Sequence, residues 1–264
     1  MIRPKLGQHF LHDRRFRQRI VAALAVGEDD LLCEIGAGRG AMTELLAARA
    51  QQVVALEIDP ALVQALRQKC ANEPKIEVLH ADILRTYLPS LCRRYRRESC
   101  YVFGNLPYYI TSPILHHLLD QAAWITGMGF VMQREVAERL TALPGSRSYG
   151  YLTVVAQLAT KPRLEFVIPP GAFSPPPKVD SALLTFEMTS ERLPAGDRKE
   201  LLEFVKLCFA HKRKNMLNNL QPVYARRRVE AELAGLGLGP TVRAEQLPVQ
   251  HLAELHARLR EGWC

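Results

Sequence analysis

Leu31-Leu32-Cys33-Glu34-Ile35-Gly36-Ala37-Gly38-Arg39-Gly40 is a short apolar run that stops in a glycine-rich turn, and residues 41–50 behind it are amphipathic. An apolar run of this length bounded by glycine reads as a buried strand, and the turn hands the chain on to a helix. The same alternation repeats downstream. Residues 53–57, 76–80, 99–104 and 128–132 are short and partly β-branched, as strands are, while 60–71 and 112–121 carry helical spacing. Asp59 before Pro60 marks a helix start, because aspartate caps the end and proline fits the first turn. Strand and helix in alternation predict an α/β domain built on a mainly parallel, doubly wound, Rossmann-like sheet.

Beyond residue 150 the pattern changes. Residues 151–159, 163–168 and 181–188 read as strands with little helix between them, which predicts an antiparallel edge to the same sheet. Pro169-Pro170 and Pro175-Pro176-Pro177 exclude regular structure from the connecting loop. Around residues 189–197 the chain turns polar, with Pro194 and Gly196, and a domain boundary belongs there. The division is a domain over 1–190 and a small all-helical domain over 191–264, with helices near 198–210, 212–220, 228–236 and 249–260.

With 264 residues, 48% of them hydrophobic, the chain can bury a core without disulfides or metal. Its six cysteines form no C-x-x-C pair, so reduced thiols are expected and a structural zinc site or other metal is not. The first residues are basic without an apolar stretch, and no run approaches the length of a membrane span. A cytoplasmic protein with no membrane partner is the expectation. The net charge of +8 suits a polyanionic partner. It is densest in the tail, where residues 191–264 hold 13 Lys and Arg against 9 Asp and Glu. Lys212, Arg213 and Lys214, with Arg226, Arg227 and Arg228, are candidates for phosphate contacts.

Gly36 and Gly38 let backbone pass close to a ligand at the carboxyl edge of a parallel sheet. By spacing alone, Gly36, Gly38 and Ala41 also suit a nicotinamide dinucleotide. The acids narrow the choice. Glu34 precedes the glycines, Glu57 ends the second strand where it would meet ribose hydroxyls, and Asp82 follows the third, within reach of an adenine amino group. This series resembles the S-adenosylmethionine-dependent methyltransferases, whose sulfonium cofactor has no pyrophosphate to be repelled. A second motif, Phe103-Gly104-Asn105-Leu106-Pro107-Tyr108, closes a strand with an amide, a constrained backbone and an aromatic ring. The Asn105 side-chain oxygen and the Leu106 carbonyl can accept from a planar base's amino group, and Tyr108 can stack on its face.

Taken together, Gly7-Gln8-His9-Phe10-Leu11, Glu34-Ile35-Gly36-Ala37-Gly38, Asn105-Leu106-Pro107-Tyr108, Gln133-Arg134-Glu135-Val136, Ser148-Tyr149-Gly150 and Phe173-Ser174-Pro175-Pro176-Pro177-Lys178-Val179-Asp180-Ser181 resemble the ribosomal RNA adenine dimethyltransferases. This is the KsgA family, to which the Erm enzymes are related. The tail containing His211-Lys212-Arg213-Lys214 is similar to the housekeeping branch. His9 stands where the motif often has Asn. The resemblance implies S-adenosylmethionine as cofactor, with His9, Leu11, Glu34, Gly36, Gly38, Glu57, Asp82 and Asn105 around it. It implies a catalytic set of Asn105, Leu106, Tyr108 and Phe173, the last stacking on the base opposite Tyr108. The implied reaction is N6,N6-dimethylation of two adjacent adenosines in a hairpin loop near the 3′ end of small-subunit rRNA. The implied partner is an assembling small ribosomal subunit, engaged by a monomer. Three other readings stay open: an Erm-type enzyme acting on large-subunit rRNA, an assembly factor with a vestigial pocket, and a DNA N6-adenine methyltransferase. The last class usually carries Asp-Pro-Pro-Tyr where this chain has Asn105-Leu106-Pro107-Tyr108.

Overall fold

The computed structural model describes residues 9–189, 195–211 and 213–260. Among the described residues, nine strands follow in chain order: β1 (Phe10–Leu11), β2 (Leu31–Ile35), β3 (Gln52–Glu57), β4 (Ile76–His80), β5 (Cys100–Asn105), β6 (Ile125–Gln133), β7 (Thr160–Ile168), β8 (Phe173–Ser174) and β9 (Ser181–Met188). Seven of them form one sheet in the order β4-β3-β2-β5-β6-β9-β7. Pairs from β4 to β6 are parallel, and β9 pairs antiparallel with both β6 and β7. The α/β class and the antiparallel edge are as the sequence predicts. Strand order reverses between β2 and β5, and ligands of open α/β sheets bind in the crevice at such a switch point.

Asp59 caps the helix Pro60–Lys69 by accepting from the Ala61 N–H at 2.9 Å. That helix buries Val63 and Leu66 against Ala55 and Val78. The helix Arg14–Ala23, capped by Asp13, sends Ile20 into a second cluster with Leu46, Val53, Phe103 and Leu183.

Two expectations about local structure are corrected by the fold. Residues 151–159 are not a strand: Tyr151–Gln157 is a helix whose Thr153, Val154, Val155 and Ala156 are buried. A short apolar run buried on all sides has no periodicity to separate strand from helix. Gly150 opens the helix by donating its N–H to Thr153 Oγ1. The proline-rich loop is not wholly irregular either. Its β8 pairs with β1, setting Phe10 opposite Ser174 and Leu11 opposite Phe173.

The chain divides into two compact units, one of Met1–Ala137 with Thr160–Ser190 and the other of Glu138–Ala159 with Glu191–Cys264. A single cut at 190 therefore omits an excursion, 138–159, that belongs with the helical unit. Burial explains the recruitment. Tyr149 is almost wholly enclosed in the core of that unit beside Leu201, Leu217 and Leu252, and its hydroxyl donates to the Leu247 carbonyl at 2.9 Å.

Candidate active site

At the switch point, a cavity of about 930 Å³, counting its open mouth, lies between the ends of β2, β3 and β5. His9, Gly36, Gly38, Glu57, Asp82, Asn105, Leu106 and Tyr108 all line it. Residues far apart in the chain thus meet in one place, each delivered by a strand end or by the turn or loop beside one.

The glycine loop and Glu57 hold each other. Gly38 N–H donates to Glu57 Oε2 at 2.8 Å, while the Ile58 and Asp59 N–H groups both donate to Oε1 at 2.9 Å. A carboxylate has about four lone-pair positions, so three backbone donors leave capacity for one more hydroxyl. These donors also make burial of Glu57, only 3% exposed, tolerable. Gly36 takes φ of +68°, and a Cβ built on it meets nothing within 4 Å, so a side chain there would stand in open space at the cavity wall. Asp82 caps the turn Ile83–Arg85 by accepting from the Leu84 N–H on Oδ1, which leaves Oδ2 to accept elsewhere.

Glu34 is placed beneath the cavity rather than in it. It accepts from the Thr43 hydroxyl at 2.6 Å and is buried. Burial raises its pKa to about 7, the Thr43 hydrogen bond opposes that rise, and the Glu57 charge adds to it. Its role is to tie β2 to the helix Thr43–Ala47 behind the glycines. Leu11 is likewise in the core.

On the opposite wall, Asn105 Nδ2 donates to the His9 carbonyl at 2.9 Å. That oxygen can only accept, so the amide cannot be reversed, and Oδ1 is the atom left for a ligand. Leu106 donates its N–H to the Val131 carbonyl at 2.9 Å, and among the described residues no donor meets its own carbonyl. The half-buried Tyr108 bonds through its hydroxyl to Ser181 Oγ at 2.7 Å, and burial raises its pKa. The His9 ring stacks on Tyr108 with centroids 5.8 Å apart and planes at 27°. Its Nδ1 lies 2.8 Å from the Pro175 carbonyl, which can only accept, so Nδ1 carries a hydrogen.

Phe173 does not face the cavity. It is 2% exposed and packs with Leu11, Ile168 and Leu183, because the β1–β8 pairing turns it into the core. The expectation that it stacks opposite Tyr108 is corrected accordingly. Sequence reasoning also missed cavity residues: Phe10, Ile58, Ile83 and Tyr109. Ile58, Ile83 and Tyr109 each directly follow a residue that was singled out, which was the available signal. Pro175 and Ser181, which orient His9 and Tyr108, lie inside the motif 173–181, but nothing in the sequence assigns them these roles.

In the helical unit, Arg213, Lys214 and Arg227 are exposed. Arg226 is paired with Glu230 at 3.0 Å, and Arg228 Nη2 donates to the Arg258 carbonyl at 3.1 Å. Arg226 is nonetheless exposed and Arg228 half-buried, and each keeps its candidate role in phosphate contact beside these partners. Lys212 lies outside the described residues, as do Gly7 and Gln8.

The cavity fits S-adenosylmethionine. Aliphatic side chains of Ile35, Leu56, Ile58 and Ile83 suit an adenine ring, Glu57 and Asp82 have acceptor capacity left, and no Lys or Arg lines the described wall to greet a pyrophosphate. By fold and site this is a methyltransferase of the class that uses that cofactor. A model of the family described as ribosomal RNA adenine dimethylase matches residues 1–261, and the chain belongs to that family. It is 42% identical over 261 residues to the ribosomal RNA small subunit methyltransferase A of Acidobacterium capsulatum, covering 98% of this chain and 92% of that one. The protein of the same name from Koribacter versatilis is 38% identical over 271 residues, with coverage of 98% and 95%. Among solved structures, the 23S rRNA methyltransferase ErmE is 33% identical with a TM-score of 0.75, covering 95% and 99%. A dimethyladenosine transferase from Plasmodium falciparum, 23% identical, shares the fold at a TM-score of 0.82 over 96% and 98%.

Proposed function

We propose that this chain dimethylates N6 of two adjacent adenosines in a hairpin loop near the 3′ end of small-subunit rRNA, acting as a monomer on an assembling subunit in the cytoplasm. The observation that carries the reading is the fixed Asn105 amide. Its nitrogen is spent on the His9 carbonyl, so its oxygen and the Leu106 carbonyl make a pair of acceptors on one wall. An adenine N6 amine is a poor nucleophile because its lone pair is delocalised into the ring. Two acceptors on its hydrogens draw the nitrogen toward a pyramidal shape and free the lone pair. Tyr108, braced by Ser181, gives the base a face to stack on. S-adenosylmethionine, when bound, supplies an electrophilic methyl carbon. Gly36, Gly38, Glu57 and Asp82 hold it against the acceptor wall, with Leu11 and Glu34 supporting them from behind.

The chemistry is positioning and preorganised electrostatics. This route needs no general base at the acceptors, because the amine proton can leave to solvent after transfer. Arg213, Lys214 and Arg227, with Lys212, provide phosphate contacts that position RNA without reading its sequence. A flipped adenosine reaches such a pocket most cheaply from a single-stranded loop. The Erm-type reading is favoured by the 33% identity to ErmE, while the small-subunit reading is supported by the 37–42% identity to the curated relatives. Purified protein and methyl-labelled cofactor, incubated with unmodified small subunits, large subunits and duplex DNA, separates the readings. Label in small-subunit rRNA as dimethyladenosine is expected; label confined to large subunits or DNA overturns the assignment.

A further inference from the structure

Tyr109 follows Tyr108 in the turn Tyr108–Ile110, yet the two rings are placed differently. Tyr108 is half-buried and pinned by Ser181, whereas Tyr109 lines the cavity mouth with 62% of its surface exposed. Of the large apolar side chains that are exposed among the described residues, only Ile58 and Tyr109 border the cavity. Ile58 adjoins Glu57 on the cofactor side, so Tyr109 is the exposed ring on the acceptor side. Its backbone is well held. Ile110 N–H and the Thr111 hydroxyl both donate to the Pro107 carbonyl, at 3.2 and 3.4 Å. A large aromatic ring on a braced turn, left in water beside an acceptor pair, is a preformed stacking platform.

We infer that Tyr109 stacks on the nucleotide adjoining the flipped adenosine. The inference rests on the proposed function and names a second nucleotide subsite for it. Flipping one base out strips its neighbour of a stacking partner, and the two nucleotides are joined by a single phosphodiester. When one base lies against Tyr108, its neighbour is held at the mouth, where Tyr109 offers a π-face. Stacking of this kind tolerates any base, so the subsite adds grip without adding sequence choice. It also suits a substrate in which the neighbour is itself the next base to be modified.

The test is initial-rate kinetics on unmodified small subunits with Tyr109→Ala, Tyr109→Leu, Tyr109→Phe and Tyr109→Trp, with S-adenosylhomocysteine affinity measured by calorimetry on each. Removal of a stacked aromatic predicts a rise of about tenfold in KM for subunits in the Ala and Leu variants. The Phe and Trp variants keep a wild-type KM, and cofactor-product affinity stays within twofold throughout. A wild-type KM in Tyr109→Ala overturns the inference. So does full rescue by Leu, which signals an apolar protein contact, or failure of Phe, which signals a role for the hydroxyl. If the wild-type protein itself labels no subunits, the functional reading falls and this subsite with it.

Discussion

The proposed acceptor Asn105 has an amide whose orientation is set by a backbone carbonyl 96 positions away in sequence. Asn105→Ala deletes one acceptor, and Asn105→Asp sets a carboxylate oxygen against the His9 carbonyl. Loss of one preorganised group of this kind costs about 100-fold or more in turnover, so both variants should fall that far in kcat while still binding S-adenosylhomocysteine. Glu34 gives a second prediction. Between about pH 4.5 and 7 the folded protein keeps a proton on Glu34 that the unfolded chain has released. Rising pH therefore weakens folding across that window and has no further effect above it. Glu34→Gln should remove that dependence, worth about 3 kcal/mol, seen as a flatter melting temperature from pH 5 to 7 in cofactor-free protein. At this scale the sequence was informative wherever a side chain sits at the end of a local strand, as Glu57, Asp82 and Asn105 do. It was uninformative for Phe173, whose facing is decided by the distant pairing of Leu11 with it.

Among the elements, the glycine loop constrains substitution both by backbone conformation and by packing. Gly40 has φ of +72°, and a Cβ there would collide with Leu66 Cδ1 on the helix Pro60–Lys69. Left-handed backbone costs an L-residue about 1–2 kcal/mol before any crowding of Leu66. Gly40→Ala should therefore lower the unfolding free energy from urea titration by at least about 1 kcal/mol, and an unchanged midpoint would contradict the packing described. Strands β2, β4 and β9 were legible to the residue, because short runs flanked by glycine, proline or charge leave little choice. The helices Arg14–Ala23 and Leu88–Arg94 were not. Their arginines hide the apolar stripe, and those charges are engaged locally: Arg19 lies over Phe166 and Arg93 over Trp124. The helix Tyr151–Gln157 was misread because enclosure by the helical unit, rather than its own pattern, makes it buried.

For the molecule as a whole, the excess of positive charge is a statement about its partner. Subunit binding should weaken linearly in log salt, and replacing Arg213, Lys214 and Arg227 together by Ala should reduce the slope by about two to three counterions. Arg226→Ala should change it less, since Glu230 already offsets that charge. The α/β class was legible from strand–helix alternation, but the excursion 138–159 was not, because its membership is settled by the packing of Tyr149 against residues far along the chain. The chemistry itself is tested most directly by mass spectrometry of nucleosides from small-subunit rRNA after incubation of unmodified subunits with wild-type protein or Asn105→Ala. The expected result is N6,N6-dimethyladenosine with the wild type and almost none with the variant, although both co-sediment with subunits. Undiminished dimethyladenosine from Asn105→Ala would contradict the account.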